Sequence, residues 1–203
     1  MITYPMDTFL GRSTDKEFKD TTLFRVLDGL PKIGLTGPWI AGGAVRRTVR
    51  GEEPDSDFDF FFRSAEQLET FSLSLEARGF TLFRETEHHK HYRGYIDGDP
   101  LMRDIQLIRF AFYASAEAVI DSFDFTICML AFDGVTLTVG DFTLWDLGRK
   151  RLAVHKITYP VSSMRRLLKY TRQSFYACNG ALNALLRATA DNPELRTDIA
   201  YVD

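Results

Sequence analysis

At 203 residues, with 45% hydrophobic and 26% charged side chains, the chain has the size for one domain, or one domain with a helical appendage, around a substantial core. Its net charge of −3 excludes a uniformly basic nucleic-acid binder and confines any such surface to a local patch. No apolar run approaches the roughly 18–20 residues that cross a bilayer. The opening MITYPMDTFLGRSTDKEF lacks a basic-then-apolar signal pattern, so a cytoplasmic protein without a membrane partner, its Cys128 and Cys178 reduced, is expected.

In chain order, Ser13 is placed to cap a helix over 14–29, with Phe18, Leu23, Val26 and Leu27 at helical spacing and Gly29 as its stop. LPKIGLTGP is a Pro/Gly loop. WIA, residues 39–41, is a short apolar strand ending in Gly42-Gly43, and AVRRTVRG is a short helix closed by Gly51. After a turn, DFDFFF (57–62) has the aromatic content of a strand. Ser64 and Gln67 form a capping-box pattern ahead of a helix striped by Leu68, Phe71 and Leu75 and ended by Gly79. FTLFRETEHHKHYRGYI predicts two strands around a polar tip, and MRDIQLIRF a further strand. SAEAVIDS is a short helix, and FDFTICMLAF and VTLTVG flank Asp133-Gly134, a two-residue hairpin signal. The tail from residue 161 is one or two helices broken near Asn179-Gly180. Helix first, with strands then outnumbering helices, predicts an α+β fold: a mixed β-sheet flanked by helices over 1–158, with a C-terminal helical segment over 159–203 packed on it.

Alternation on a strand puts Asp57 and Asp59 on one face, roughly 7 Å apart, and Phe58, Phe60 and Phe62 on the other. Like charges in a half-buried site repel and push one pKa upward. A Mg²⁺ ion, which takes one or two carboxylates and leaves places for phosphate oxygens, removes that cost. The plainer alternative has Asp57 capping a turn and Asp59 pairing with an arginine. Fourteen residues upstream of the pair, Gly42-Gly43 follows a strand and opens a helix, where backbone can approach an anion.

These residues carry a resemblance. GGAVRR…DSDFDFFF is similar to the head domain of the nucleotidyltransferase superfamily, in particular the tRNA CCA-adding enzymes and bacterial poly(A) polymerases, over about residues 38–62. More loosely, DIQLIRF, FDFTICMLAFDG and RRLLKY extend it toward small nucleotidyltransferase-like proteins of phages and large DNA viruses, which implies a host-cell cytoplasm. The resemblance implies that Gly42 and Gly43 contact nucleotide phosphates, that Arg46 or Arg47 neutralises phosphate charge, and that Asp57 and Asp59 coordinate two Mg²⁺ ions. It implies an NTP, with ATP favoured, and transfer of a nucleoside monophosphate to an RNA 3′ end or to another hydroxyl on a protein or small molecule. Two positions depart from the pattern. Arg47 stands where the family has Asp after the motif arginine. The third carboxylate of the family aligns best with Gln106, while Asp104, two residues earlier on the same face, is the other candidate for metal ligation and proton transfer. A catalytically weak nucleotide- or RNA-binding module, or a structural protein, on the same fold is the alternative.

Elsewhere, Arg165, Lys169 and Arg172 form a basic stripe at i, i+4 and i+7, suited to an RNA backbone or simply to solvent. Met164, Leu168, Phe175 and Cys178 give a neighbouring apolar stripe, and GRKR (148–151) adds basic charge. His88, His89 and His91 at the hairpin lack a second His/Cys cluster for metal and are expected on an exposed tip, or on a basic rim for a nucleotide. Asp121 and Asp124 are expected to cap a helix-to-strand junction, with Asp124 beginning a strand and able to face the cleft. The oligomeric state is left open.

Overall fold

A computed structural model of the chain describes residues 1–6, 22–54 and 57–191. Its contacts form two units, Met1–Asp121 with Cys128–Asp141, and Ser122–Ile127 with Phe142–Asp203. Residues 142–158 thus group with the tail rather than with the sheet.

The first unit holds an eight-stranded mixed sheet. Its strands are β1 (Ile2–Pro5), β2 (Trp39–Ala41), β3 (Phe58–Phe61), β4 (Thr81–Glu85), β5 (His89–Gly94), β6 (Arg103–Ile108), β7 (Leu130–Phe132) and β8 (Thr136–Val139). They lie in the order β1-β8-β7-β2-β3-β6-β5-β4. β3 and β6 run parallel, and the other neighbours are antiparallel. Helices α1 (Thr22–Gly29), α2 (Gly43–Val49), α3 (Ala65–Glu76) and α4 (Ala116–Asp121) accompany it.

One face of the sheet is a hydrocarbon layer. Leu137, Phe132, Ile40, Phe60 and Leu107 stand in register across five strands, and all are fully buried. Each such burial stabilises by about 1.5–3 kcal/mol. α3 lies against this layer, with the Phe71 ring 5.0 Å from Phe60 and 5.5 Å from Phe62. The polar tip of Tyr92 is satisfied there by Ser72 Oγ at 2.6 Å and by Glu76 Oε1 at 2.9 Å. The helix begins as its sequence predicts: Ser64 accepts a hydrogen bond from the Gln67 amide, and Gln67 Oε1 accepts one from the Arg63 amide.

The second unit contains α5 (Thr143–Gly148), β9 (Arg151–Leu152), α6 (Pro160–Arg172), β10 (Tyr176–Ala177) and α7 (Asn179–Ala190), with β9 and β10 parallel. Its interior is organised by Asp146, whose fully buried carboxylate accepts from Thr126 Oγ1 at 2.6 Å and Arg151 Nε at 2.7 Å.

Several expectations are corrected. Ser13 and residues 14–21 lie outside the described residues, and the chain opens with an edge strand, β1, rather than with a helix. The strand predicted over 123–132 is limited to Leu130–Phe132, because Thr126–Cys128 form a 3₁₀ turn. Asp124 therefore begins no strand. Its buried carboxylate accepts from Arg166 Nη1 at 2.8 Å, and its carbonyl accepts from the His155 amide at 2.8 Å. The tail breaks at residues 173–178, where Ser174 takes φ 64° and β10 intervenes, so Asn179 and Gly180 start α7 instead of separating helices. The buried face of α6 is Ser163, Leu167 and Tyr170, while Leu168 is 55% exposed; the predicted apolar stripe was rotated by one residue.

Candidate functional site

The opposite face of the sheet carries the site. Register places Thr3, Thr138, Ala131, Ala41, Asp59, Gln106, His91 and Arg84 in one row across all eight strands. Residues in register share a face. The row is small and buried at Ala131 and Ala41, then becomes carboxylate, amide, imidazole and guanidinium in succession. Asp57 and Asp104, two residues before Asp59 and Gln106, face the same way.

The Gly-Gly corner adjoins the pair. Ala41 is the register partner of Asp59 on antiparallel β2, so the chain leaving β2 through Gly42 runs past the start of β3, where Asp57 lies. Gly42 takes φ 80° and ψ −131°, a conformation only glycine adopts readily. Its amide donates to Leu130 O at 3.2 Å, and its carbonyl accepts from the Arg46 amide at 2.9 Å, opening α2. Gly43 is the first residue of that helix. Arg46 is buried, and Arg47 is half-buried with Nη1 3.9 Å from Glu52.

Asp57 and Asp59 are half-buried. Gln106 Nε2 donates to Asp57 Oδ2, which fixes one carboxylate oxygen. Gln106 thus fills the place next to the pair. Asp104 belongs to a different cluster: its Oδ1 is shared by His91 Nε2 at 2.6 Å and Arg93 Nε at 2.7 Å. Burial opposes its ionisation, but the hydrogen bonds from Arg93 and His91 outweigh that and hold its carboxyl below the usual range. Burial, with the positive charge of neighbouring His91 and Arg84, lowers the pKa of His89. Phe83 completes the cluster, with Arg93 Cζ 3.6 Å above its ring centroid and the His91 ring 5.3 Å away edge-on.

The structure thus brings Asp57, Asp59, Gln106 and the Gly42-Gly43 corner together and draws Asp104 toward β5. The engagement of Asp104 by His91 and Arg93 was missed from sequence. The matching periods of H-x-R at 91–93 and D-x-Q at 104–106 were the available signal, since an antiparallel pairing sets one against the other. Of the histidines, His88 is exposed, whereas the side chain of His91 is only 12% exposed and is paired. Arg165, Lys169 and Arg172 are exposed on α6 of the second unit. In GRKR, Arg149 stacks on Trp145 at 3.9 Å, and Arg151 serves Asp146.

Among the described residues no three His, Cys, Asp or Glu side chains converge as a metal cluster. Asp57 and Asp59 suit a hard cation that takes two carboxylates and keeps phosphate and water in its remaining places. Asp104 does not, because both its neighbours are basic.

A family model for Gabija anti-defense 2 family proteins matches residues 12–150. The chain belongs to the Gabija anti-defense 2 family. One curated relative, Gabija anti-defense 2 of Bacillus phage SPbetaL7, is 32% identical over 139 residues, which is 67% of this chain and 33% of that protein. Solved structures resemble this family member in fold. A CCA-adding enzyme in complex with ATP matches with TM-score 0.65 at 18% identity, covering 97% of this chain and 48% of the enzyme. The Thermotoga maritima CCA-adding enzyme complexed with tRNA matches with TM-score 0.60 at 21% identity, covering 97% and 49%. The fold is nucleotidyltransferase-like, as the sequence motifs imply. The chain spans about a third of the phage relative and about half of these enzymes. No described helix is long and apolar enough to cross a membrane.

Proposed function

We propose that the chain is a metal-dependent nucleotidyltransferase module that counters Gabija defence by moving a nucleoside monophosphate from an NTP to a hydroxyl acceptor. One observation carries this reading: two half-buried carboxylates, Asp57 and Asp59, share a strand face beside a glycine corner that takes φ 80°. The corner would accept the triphosphate against bare backbone. Asp57 and Asp59 would hold Mg²⁺, which when bound activates the acceptor hydroxyl and offsets charge on the leaving pyrophosphate. Gln106 orients Asp57 by its amide, in place of a third acid. Arg47, half-buried and close to the corner in sequence, is the side chain assigned to phosphate charge.

A second reading, nucleotide binding without turnover, is favoured by the same Gln106 and by the commitment of Asp104 to two basic partners. Thermal shift with each NTP and Mg²⁺, run beside transfer of labelled nucleotide to protein and RNA acceptors, separates the two. Shift with transfer supports the enzyme, and shift without transfer supports the binding module. Transfer that survives Asp57→Asn with Asp59→Asn removes these residues from the site. In cells carrying Gabija, the wild-type chain is expected to restore phage growth and the double variant to fail.

A further inference from the structure

The polar face does not end at the carboxylate pair. On edge strand β4 the register slips between Leu82 and Arg84, leaving Phe83 as the extra residue of a β-bulge. Bulges re-aim side chains and recur beside functional sites. This one turns Phe83 onto the face of His91 and Arg93, next to Arg84. The result is an aromatic ring held on one side by a guanidinium that is itself anchored to Asp104, yet 57% exposed to solvent. Arg84 beside it is exposed, and its side chain makes no hydrogen bond or ion pair among the described residues.

A ring backed by a fixed cation with its outer side open, next to an uncommitted arginine, has the chemistry of a nucleobase platform with a phosphate contact. We infer that Phe83 and Arg84 hold a base and a phosphate of a single-stranded polynucleotide whose end lies at Asp57 and Asp59. Distance favours a strand over the bound nucleotide. β4 is four strand spacings from β2, where the glycine corner lies, so Phe83 stands about 19 Å from that corner. That span exceeds one nucleotide, whereas an acceptor strand crossing β6 and β5 covers it. The direction of the strand rests on the proposed nucleotidyltransferase reading; the platform itself does not.

The test is fluorescence anisotropy with labelled single-stranded RNA and DNA oligomers, with the matching duplex and free NTPs as competitors. Wild-type protein is expected to bind single strands more tightly than duplex, with affinity falling as salt rises. Phe83→Ala is expected to weaken strand binding roughly tenfold or more, the scale of one lost base–aromatic stack, while Phe83→Trp retains it. Arg84→Ala is expected to lower the salt slope by about one. Unchanged melting temperatures for these edge-strand variants keep the comparison clean. Strand affinity that is absent, or indifferent to Phe83→Ala, overturns the inference. Loss of NTP binding rather than strand binding in Phe83→Ala also overturns it, placing the base of the nucleotide there. Absent transfer by the wild-type chain, with Phe83-dependent strand binding intact, counts against the enzyme reading alone.

Discussion

Gln106 is the residue on which the chemistry of the row turns. It occupies the register position beside Asp59 and donates to Asp57, so it supplies a hydrogen bond where an acid would supply charge. Gln106→Glu converts the row to three carboxylates. Without divalent cations their repulsion is expected to lower the melting temperature at neutral pH, and Mg²⁺ is expected to recover it by more than in the wild type. Melts in EDTA and in Mg²⁺ read the difference, and equal shifts in both proteins would count against a cation site there. Asp104 makes a different prediction. Its folded carboxyl is depressed by Arg93 and His91, so its contribution is present above the unfolded value of about 3.9 and is lost as pH falls through the lower folded value. Asp104→Asn is expected to cost roughly 1–3 kcal/mol at pH 7 by urea unfolding. The gap from wild type should close as pH falls below the unfolded value and through the lower folded one.

At the scale of elements, α6 tests whether burial or composition sets a helix face. Leu167 is buried and Leu168 exposed, although the sequence offers the same side chain at both. Leu167→Ala is expected to cost about 2–4 kcal/mol, and Leu168→Ala to stay within about 0.5 kcal/mol, by denaturant unfolding. Elements whose signals are local were legible. The Ser64–Gln67 cap, the Asp133-Gly134 turn and the strands at 39–41 and 58–61 stand where their residues place them. β1 was not, since Ile2–Pro5 is a mostly exposed edge strand fixed by pairing with β8 more than 130 residues away. The tail break was legible to within a few residues: it falls at 173–178, directly before Asn179-Gly180, with Ser174 taking the positive φ. The site divided likewise. The D-x-D pair and the glycine corner are written in short motifs, whereas the Asp104 cluster and the Phe83 bulge arise from cross-strand register, which no single local pattern encodes.

For the whole molecule, the two faces of one sheet differ in chemistry, and the proposed function lies on the polar one. The layer running from Leu137 through Phe132, Ile40 and Phe60 to Leu107 is fully buried hydrocarbon, and the row one residue away carries the charges. Removing charge from Asp57 and Asp59 leaves the apolar layer untouched and relieves a repulsion of roughly 0.6–2.4 kcal/mol at 7 Å for effective dielectric constants of 80 to 20. That gain is offset by a weaker Gln106 hydrogen bond and by the change to the interaction that Asp59 makes within the fold. With the apolar layer intact, Asp57→Asn with Asp59→Asn is expected to fold and, in EDTA, to melt close to the wild type. Linkage then separates the proteins: a ligand at a hundredfold excess over its Kd adds about 2.7 kcal/mol to the protein that binds it. With saturating NTP and Mg²⁺ the wild-type transition is expected to rise and that of the double variant to stay in place. A variant that melts early in EDTA would instead make the two aspartates part of the scaffold, held for stability rather than for a ligand.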